Sequence, residues 1–341
     1  MSQALLGISL GLLVVFAAIN GAHDASNTIA SAVKTRALTP AIAIRLTSIF
    51  ALIGALAGGF LWPNIPIGVH QDWVQLPAGV GGPIIIICVV VSAFVWDLLT
   101  LLLRMPSSST HALFGAIAGA SWASIIAVRS ENTTIDLNAV LWEVILPLLL
   151  LPVLSFFLAL ACALAVAYWA QDEQPHKMNR RLRLTQSIAT ATLALTHAIA
   201  TAQRLGFLGW LAIKSVEGKL HHEAIPVALI LALALSFAIG TFSGGWRITD
   251  TLSNRLVPLD PLKGSIAQIL PAIMYVVASL LQAPASSTQL FTTALVGSGT
   301  VPRWKAVNTN VVTKILTIWI LTPFVTFLAS ALLYLAISNF L

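Results

Sequence analysis

Ten apolar segments divide this chain, and each is long enough, or nearly so, to cross the hydrocarbon core of a lipid bilayer. A segment that crosses lipid must make all its backbone hydrogen bonds internally, which favours helices. Only 9% of the residues are charged, against about a quarter in soluble domains. The sequence therefore predicts an all-α polytopic membrane protein. The segments lie at residues 4–33, 40–62, 82–103, 107–128, 139–170, 186–213, 224–242, 265–283, 286–301 and 306–340.

Basic residues are distributed unevenly between the two sides that these segments define. If every segment crosses once and the N-terminus is outside, thirteen Lys and Arg residues fall on one side and three on the other. Cytoplasmic loops carry the excess of Lys and Arg, so we expect both termini to be outside a prokaryotic-type inner or plasma membrane. The basic residues are spread over loops without interleaved aromatic residues, which does not indicate binding of nucleic acid.

A central hydrophilic loop separates two halves that carry matching motifs. PSSSTHALFGAIAG at 106–119 recurs as PASSTQLFTTALVG at 284–297, 178 residues later, and the stretch around Asp24 has a weaker counterpart at 197–206. Five segments per half give the second copy the opposite orientation, as in secondary transporters built from inverted repeats with broken or re-entrant helices. We expect a first transmembrane repeat at 1–170, a cytoplasmic basic loop at 171–185 and an inverted second repeat at 186–341.

Each Pro-x-Ser-Ser-Thr motif predicts a helix that begins within the membrane. Proline disfavours helix at the residue before it, and the hydroxyl residues after it are good helix caps. The free N–H groups and the positive end of the helix dipole, with hydroxyls beside them, suit a small tetrahedral oxyanion. Two such helix ends from inverted repeats would surround one anion with donors, between the two repeats near mid-membrane.

A carboxylate lies within the first apolar segment, in the stretch NGAHDASNTIA at 20–30. An Asp at this depth costs at least ~2.5 kcal/mol on insertion scales, so we interpret it as functional. Asn20, Asp24 and Asn27 are spaced by four and three residues, which places them on one face of a helix. With backbone carbonyls where Gly21 is expected to interrupt the helix, they are candidates for binding Na⁺ or carrying a proton.

Together these motifs resemble the inorganic phosphate transporter (PiT) family of cation-coupled anion symporters. The first signature of that family reads like GANDVANA, and this chain has GAHDASNT at 21–28. The Pro-x-Ser-Thr-Thr-His segments of the family are similar to PSSSTH at 106–111 and PASSTQ at 284–289. A GGWR…T…LDP…G stretch of the family resembles residues 244–268. The resemblance covers nearly the whole chain.

The resemblance implies symport of inorganic phosphate with Na⁺ or H⁺ by alternating access, with no enzymatic activity and no further cofactor. By position, the phosphate ligands would be Ser108, Ser109, Thr110, Ser286, Ser287 and Thr288, joined by Thr201 and Arg204. The cation-coupling residues would be Asn20, His23, Asp24 and Asn27. Gating or packing is the expected role of His111, His197 and Gln289, since no nucleophile-elbow or HEXXH motif accompanies them.

The second signature departs from the family pattern. Where the family has HGxNDAQK, this chain has HAIATAQR at 197–204. Thr201 therefore replaces the second carboxylate, and Arg204 lies where the family commonly has Lys or Asn. A site with one carboxylate and an arginine has less reason to recruit Na⁺ and a stronger field for a dianion. We therefore expect at most one cation site, beside Asp24, or proton transfer through His23, because imidazole titrates near neutral pH.

Two other functions are compatible with these residues. Hydrogen-bond donors at helix ends do not distinguish phosphate from sulfate or another tetrahedral oxyanion. In another class, a membrane sensor or accessory protein would keep the fold without translocating its ligand. The oligomeric state stays open, with a homodimer as one arrangement.

Overall fold

A computed structural model of the protein describes residues 1–61, 74–128, 133–169, 175–218, 225–301 and 306–338. Helices account for most of the first half. They are α1 (Ser2–Lys34), α2 (Pro40–Leu61), α3 (Gly81–Leu102), α4 (Ser109–Val128), α5 (Leu137–Ala139) and α6 (Leu146–Trp169), with a π-helical segment at Val140–Ile145 between the last two. Two short antiparallel strands, β1 (Val74–Gln75) and β2 (Thr134–Ile135), pair with each other outside the apolar segments.

The second half has the same order of long helices. They are α7 (Pro175–Glu217), α8 (Val227–Ser243), α9 (Trp246–Asp250), α10 (Pro261–Leu280), α11 (Ser287–Gly299) and α12 (Thr309–Ser338), with a second π-helical segment at Thr251–Leu256 after α9.

Seven helical segments of the described chain are long and apolar enough to cross a membrane. They are Ser2–Lys34, Pro40–Leu61, Gly81–Leu102, Ser109–Ala127, Leu137–Trp169, Pro261–Leu280 and Thr309–Ser338. An eighth results if Val227–Ser243 and Trp246–Leu256, which are bent by 47° at their junction, form one span. The all-α polytopic membrane fold is thus confirmed. Helix α11 has only 13 residues, about 20 Å at 1.5 Å per residue, so it is too short to cross by itself.

Helix α7 begins at Pro175, earlier than the predicted start of the apolar segment at residue 186. The structure places residues 175–185, the described part of the predicted basic loop, in the first turns of this helix, and residues 171–174 lie outside the described ranges. Arg, Lys, Leu and Met are good helix formers, and neither Gly nor another Pro occurs between Pro175 and Gly206. The high density of basic residues in this segment suggested a loop, but the residue types of the segment favour a helix.

The predicted interruption of the first helix at Gly21 is wrong. Helix α1 runs without a break from Ser2 to Lys34. Gly21 instead allows a close approach of α8, because a side chain there would collide with the Phe237 carbonyl and would come within 2.9 Å of the Thr241 nitrogen. The missing side chain serves helix packing, which is common among small residues in membranes.

Long helices of the first half pack against long helices of the second half. Helix α1 of the first half packs against α8 of the second, and α2 packs against α7. In the same way α4 packs against α12, and α6 against α11. Each half also repeats the contact of its first helix with the helix before its Pro-x-Ser-Ser-Thr motif, α1 with α3 and α7 with α10. This arrangement brings the signature helices and the motif helices of both halves to one place.

Candidate anion and cation site

Both Pro-x-Ser-Ser-Thr motifs lead into a helix N-terminus, as predicted. The Ser108 hydroxyl accepts the His111 backbone N–H at 3.2 Å and lies 2.7 Å from the Nδ1 atom of the same histidine. At the start of α11 the Ser286 hydroxyl accepts the Gln289 N–H at 3.4 Å. These two serines are helix caps, so part of their hydrogen-bonding capacity is used within their own motif.

The start of α11 contacts the signature residues of α1. The Thr288 hydroxyl donates to Asp24 Oδ1 at 3.2 Å and accepts from the Asn27 amide at 2.8 Å. The same amide lies 3.3 Å from Asp24 Oδ1. A predicted anion ligand from one half thus touches two predicted cation ligands from the other.

The second signature reaches the same carboxylate through His197. Its Nε2 atom lies 3.2 Å from Asp24 Oδ2 and 3.4 Å from the Thr201 hydroxyl. On the other side of the ring, Nδ1 lies 3.4 Å from the Tyr275 hydroxyl. Gating or packing is the predicted role of His197, and the structure places this residue in direct contact with Asp24.

Arg204 and the start of α4 converge on one backbone carbonyl, that of Ala285 in the second motif. Arg204 donates to this oxygen at 3.4 Å and to the Thr201 hydroxyl at 2.9 Å. Thr110 donates to the same carbonyl at 3.4 Å, and Tyr275 does so at 3.0 Å. Donors from both halves therefore surround a short segment before α11.

The guanidinium of Arg204 is buried, with 7% of the residue exposed. Among the described residues the ion pairs are His23–Asp24, His197–Asp24, Arg255–Asp250 and Lys263–Asp260, and none involves Arg204. Arginine stays protonated in proteins, and a buried charge is normally paired because its desolvation is costly. A buried arginine whose described partners are neutral, the hydroxyls of Thr201 and Tyr275 and a backbone carbonyl, is a fitting ligand for an anion.

His23 connects Asp24 to the first hydroxyl of the first motif. Its Nδ1 atom lies 3.4 Å from Asp24 Oδ1, and its Nε2 atom lies 3.1 Å from the Ser107 hydroxyl. Ser107 in turn lies 2.8 Å from the Thr100 hydroxyl of α3. Sequence reasoning missed Ser107 and Thr100, which hold the imidazole in place.

A second carboxylate, that of Asp97 in α3, is fully buried beside these residues. Its polar neighbours are Asn20 and Ser109, and the charges of His23 and Asp24 act on it. The expectation of a single carboxylate in the site is therefore wrong. A signal was present in the sequence, since this Asp lies in an uncharged apolar run and deserved the same interpretation as Asp24.

The last residues of the two six-residue motifs are His111 and Gln289. Both line an apolar cavity of about 830 Å³ between α4, α6, α11 and α12. The amide oxygen of Gln289 is buried and has no hydrogen-bond partner among the described residues. A role in gating or packing stays a prediction for these two residues.

Apart from His111, every predicted site residue is at least 93% buried. The least buried of them is Arg204. The site is therefore closed in this structure, and a ligand could enter or leave only if helices move.

Taken with the membrane spans, this geometry defines a polytopic helical membrane protein with a closed polar site between its two halves, suited to a small oxyanion. The model of the phosphate transporter family matches residues 20–330 of the chain. The chain belongs to this family, and the resemblance stated from its motifs is confirmed.

Relatives and a solved structure agree with this assignment. A probable low-affinity inorganic phosphate transporter of Bacillus subtilis (strain 168) is 29% identical over 320 residues, with 92% of each chain covered. One from Rhizobium meliloti (strain 1021) is 29% identical over 336 residues, with 96% of each covered. A structure described as the sodium-dependent phosphate transporter matches the fold with a TM-score of 0.73 at 17% identity, covering 99% of this chain and all of that one. These proteins are named as transporters and not as enzymes, as predicted for this chain.

Proposed function

We propose that this protein is a secondary active transporter that moves inorganic phosphate across the membrane together with a cation, Na⁺ or H⁺, by alternating access. The observation that carries the proposal is the crossed contact between the halves. Thr288 of the second motif bonds Asp24 of the first signature, while Thr110 of the first motif and Arg204 of the second signature meet at the Ala285 carbonyl. Family membership and the names of the relatives support phosphate as the substrate.

In the proposed complex, phosphate lies between the starts of α4 and α11. Arg204 supplies a fixed positive charge. The hydroxyls of Thr110 and Thr288, which donate to the Ala285 carbonyl and to Asp24 in this structure, turn their single protons to phosphate when it binds. Phosphate at neutral pH still carries a proton that it can donate, whereas sulfate does not. The Asp24 carboxylate can accept that proton in a hydrogen bond, so it favours phosphate over sulfate.

Alternating access is supported by the closed site and by the exchange of helix partners between halves. In inverted-repeat transporters the substrate lies where the repeats meet, and one repeat rocks against the other to open each side in turn. We propose the same division here, with repeats at 1–170 and 186–341 joined by the basic segment 171–185 on the cytoplasmic side. The proposed setting is a prokaryotic-type inner or plasma membrane, with both termini outside.

Counterflow in proteoliposomes tests this function. Vesicles that contain the purified protein are loaded with unlabelled phosphate and diluted into a trace of labelled phosphate, with and without excess sulfate. We expect transient accumulation of label that sulfate does not suppress, and net uptake when a Na⁺ or a pH gradient is imposed separately. Suppression by sulfate would favour the alternative substrate. Binding of phosphate without counterflow would favour a sensor or accessory protein and would contradict the proposal.

A further inference from the structure

The apolar cavity of about 830 Å³ between α4, α6, α11 and α12 has no role in the proposed transport step. Pockets that bind small molecules usually have volumes of about 300–1,000 Å³. No Lys, Arg, Asp or Glu of the described residues lines the cavity, whereas several Phe and Trp side chains do. They are Phe114, Phe156, Trp319, Phe324 and Phe327. The cavity therefore suits a largely apolar ligand without a net charge.

One side of the cavity borders the surface that faces lipid. Leu149 and Val153 of α6 and Ile320 and Phe324 of α12 line the cavity, and all four side chains are exposed. Both helices belong to candidate membrane spans, so their exposed apolar surfaces face the bilayer. A molecule dissolved in the membrane reaches the cavity from that side without passing through water.

Two polar side chains that line the cavity have an atom without a partner. The Gln289 amide oxygen and the Thr292 hydroxyl are buried and make no hydrogen bond with any described residue. The hydroxyl of the neighbouring Thr293, by contrast, donates to the Gln289 carbonyl at 2.7 Å. Buried polar atoms in native structures nearly always have partners, so the two unpaired atoms indicate a ligand with a polar group.

Backbone acceptors at the cavity wall add to these two side chains. Pro152 lies inside α6 and Pro323 lies inside α12, and both line the cavity. A proline inside a helix has no N–H to donate to the carbonyl four residues earlier. Those carbonyls belong to Leu148 and Trp319, which also line the cavity. The polar group of the ligand therefore meets mainly acceptors, which suits a hydrogen-bond donor such as a hydroxyl.

We propose that this cavity binds a neutral amphiphile from the bilayer, an aliphatic chain with a hydroxyl head as in a long-chain alcohol, and that its binding slows transport. The chain packs against the apolar wall, while the hydroxyl donates to the Gln289 oxygen and accepts from Thr292. An ionised head is excluded because a charge at membrane depth without a counter-ion is costly. A phospholipid tail would fill the cavity but has no group to pair with these two atoms.

The effect on transport rests on the proposed function. His111 and Gln289 line the cavity and directly follow Thr110 and Thr288, the proposed phosphate ligands at the starts of α4 and α11. The cavity is present while the phosphate site is closed, so a ligand that fits it favours the closed state. Phosphate leaves that state only when helices move. A bound amphiphile therefore slows transport without contacting phosphate.

The test uses hexadecanol as the probe and hexadecane, which lacks the hydroxyl, as the matched control ligand. Binding to the full chain is measured with a diazirine derivative of hexadecanol, whose photo-cross-links are located by mass spectrometry. Transport is measured as the initial rate of labelled phosphate counterflow in proteoliposomes. Thr292→Val removes the unpaired hydroxyl with little change in shape. Thr293→Val is the matched control variant, because it removes the neighbouring hydroxyl that already has a partner.

We expect cross-links at residues that line the cavity, suppressed by excess hexadecanol but not by hexadecane, and slower counterflow in wild type and Thr293→Val. The hexadecanol concentration for half-inhibition should rise about fivefold in Thr292→Val, as expected when one neutral hydrogen bond is lost.

Equal inhibition by hexadecane, or unchanged sensitivity of Thr292→Val, would overturn the proposal. Absence of cross-links at the cavity, the result expected if a second copy of the chain covers it, would overturn it as well. Wild-type vesicles that show no counterflow without hexadecanol would instead contradict the proposed function, while the cross-links would still report on binding.

Discussion

The hydroxyl of Thr288 donates a hydrogen bond to the carboxylate of Asp24 at 3.2 Å, although 264 positions separate the two residues in the chain. Thr288 belongs to the hydroxyl-rich start of α11, where an anion is expected, and Asp24 belongs to the helix face where a cation is expected. One hydroxyl therefore connects the two ligand sites. A change in the ligands of Asp24 is transmitted directly to a phosphate ligand.

Replacing Asp24 with Asn should lower phosphate uptake roughly tenfold or more. The variant loses the negative charge that His197 and Thr288 contact, and hydrogen bonds to charged groups contribute about 1.5–3 kcal/mol each. The measurement is the initial rate of labelled phosphate uptake into proteoliposomes, with Glu217→Gln as control. Uptake at the wild-type rate would exclude Asp24 from the mechanism.

Replacing Arg204 with Gln should raise the KM for phosphate by roughly tenfold or more, because a charge-assisted contact to the dianion is lost. The KM of Arg204→Lys should lie between those of wild type and Arg204→Gln, since lysine keeps the charge but not the planar guanidinium. Tyr275→Phe is the control: it removes a hydroxyl that donates to the Ala285 carbonyl and contacts His197 and Arg204, but it removes no charge, so it should change the KM by less than about threefold. Equal effects of Arg204→Gln and Tyr275→Phe would show that Arg204 only supports the backbone.

Restoring the second-signature carboxylate with Thr201→Asp should make uptake more dependent on Na⁺ and weaken phosphate binding. The new carboxylate would lie beside Arg204, whose guanidinium is 2.9 Å from the present hydroxyl, and would neutralise it. Uptake is measured over a range of Na⁺ concentrations at fixed pH. Thr201→Asn matches the size without the charge, so a Na⁺ response shared by both variants, or absent from both, would count against the explanation.

Replacing Gly240 with Ala should destabilise the protein by about 1–3 kcal/mol, the usual result of overpacking. A side chain at this position would collide with the carbonyl of Ala18 and force α8 away from α1. Gly11→Ala is the matched control, because nothing lies within 4 Å of its added carbon and Ala favours a helix. Thermal unfolding in detergent should show a lower Tm for the first variant only. An unchanged Tm for Gly240→Ala would contradict the packing described for these helices.

Local signals in the sequence were enough to predict the helices and the motif termini. Long apolar runs located all the candidate spans of the described chain, although the predicted segments 186–213 and 286–301 are not among those spans. The serines after Pro106 and Pro284 located the starts of α4 and α11. Both signals act within a few residues and need no knowledge of the partner helix. The uninterrupted path through Gly21 could not be obtained in this way, because its cause is the backbone of α8, more than two hundred residues later.

Only part of the candidate site could be predicted from the sequence, because the rest depends on contacts between distant helices. The motif repeat identified Thr110, Thr288 and Asp24, but the position of His197 against Asp24 depends on how two distant helices cross. Asp97 is a different case. It lies outside both motifs and was overlooked, although the rule that marked Asp24 applied equally to it.

Counterflow by Thr110→Val and Thr288→Val tests the central claim, that one phosphate lies between equivalent hydroxyls of the two halves. Each substitution removes a hydroxyl with little change in shape. If both hydroxyls bind phosphate, each variant should lose about tenfold in the initial rate of labelled phosphate counterflow, as expected when a hydrogen bond to a charged group is lost. Wild-type counterflow in both variants would contradict the account.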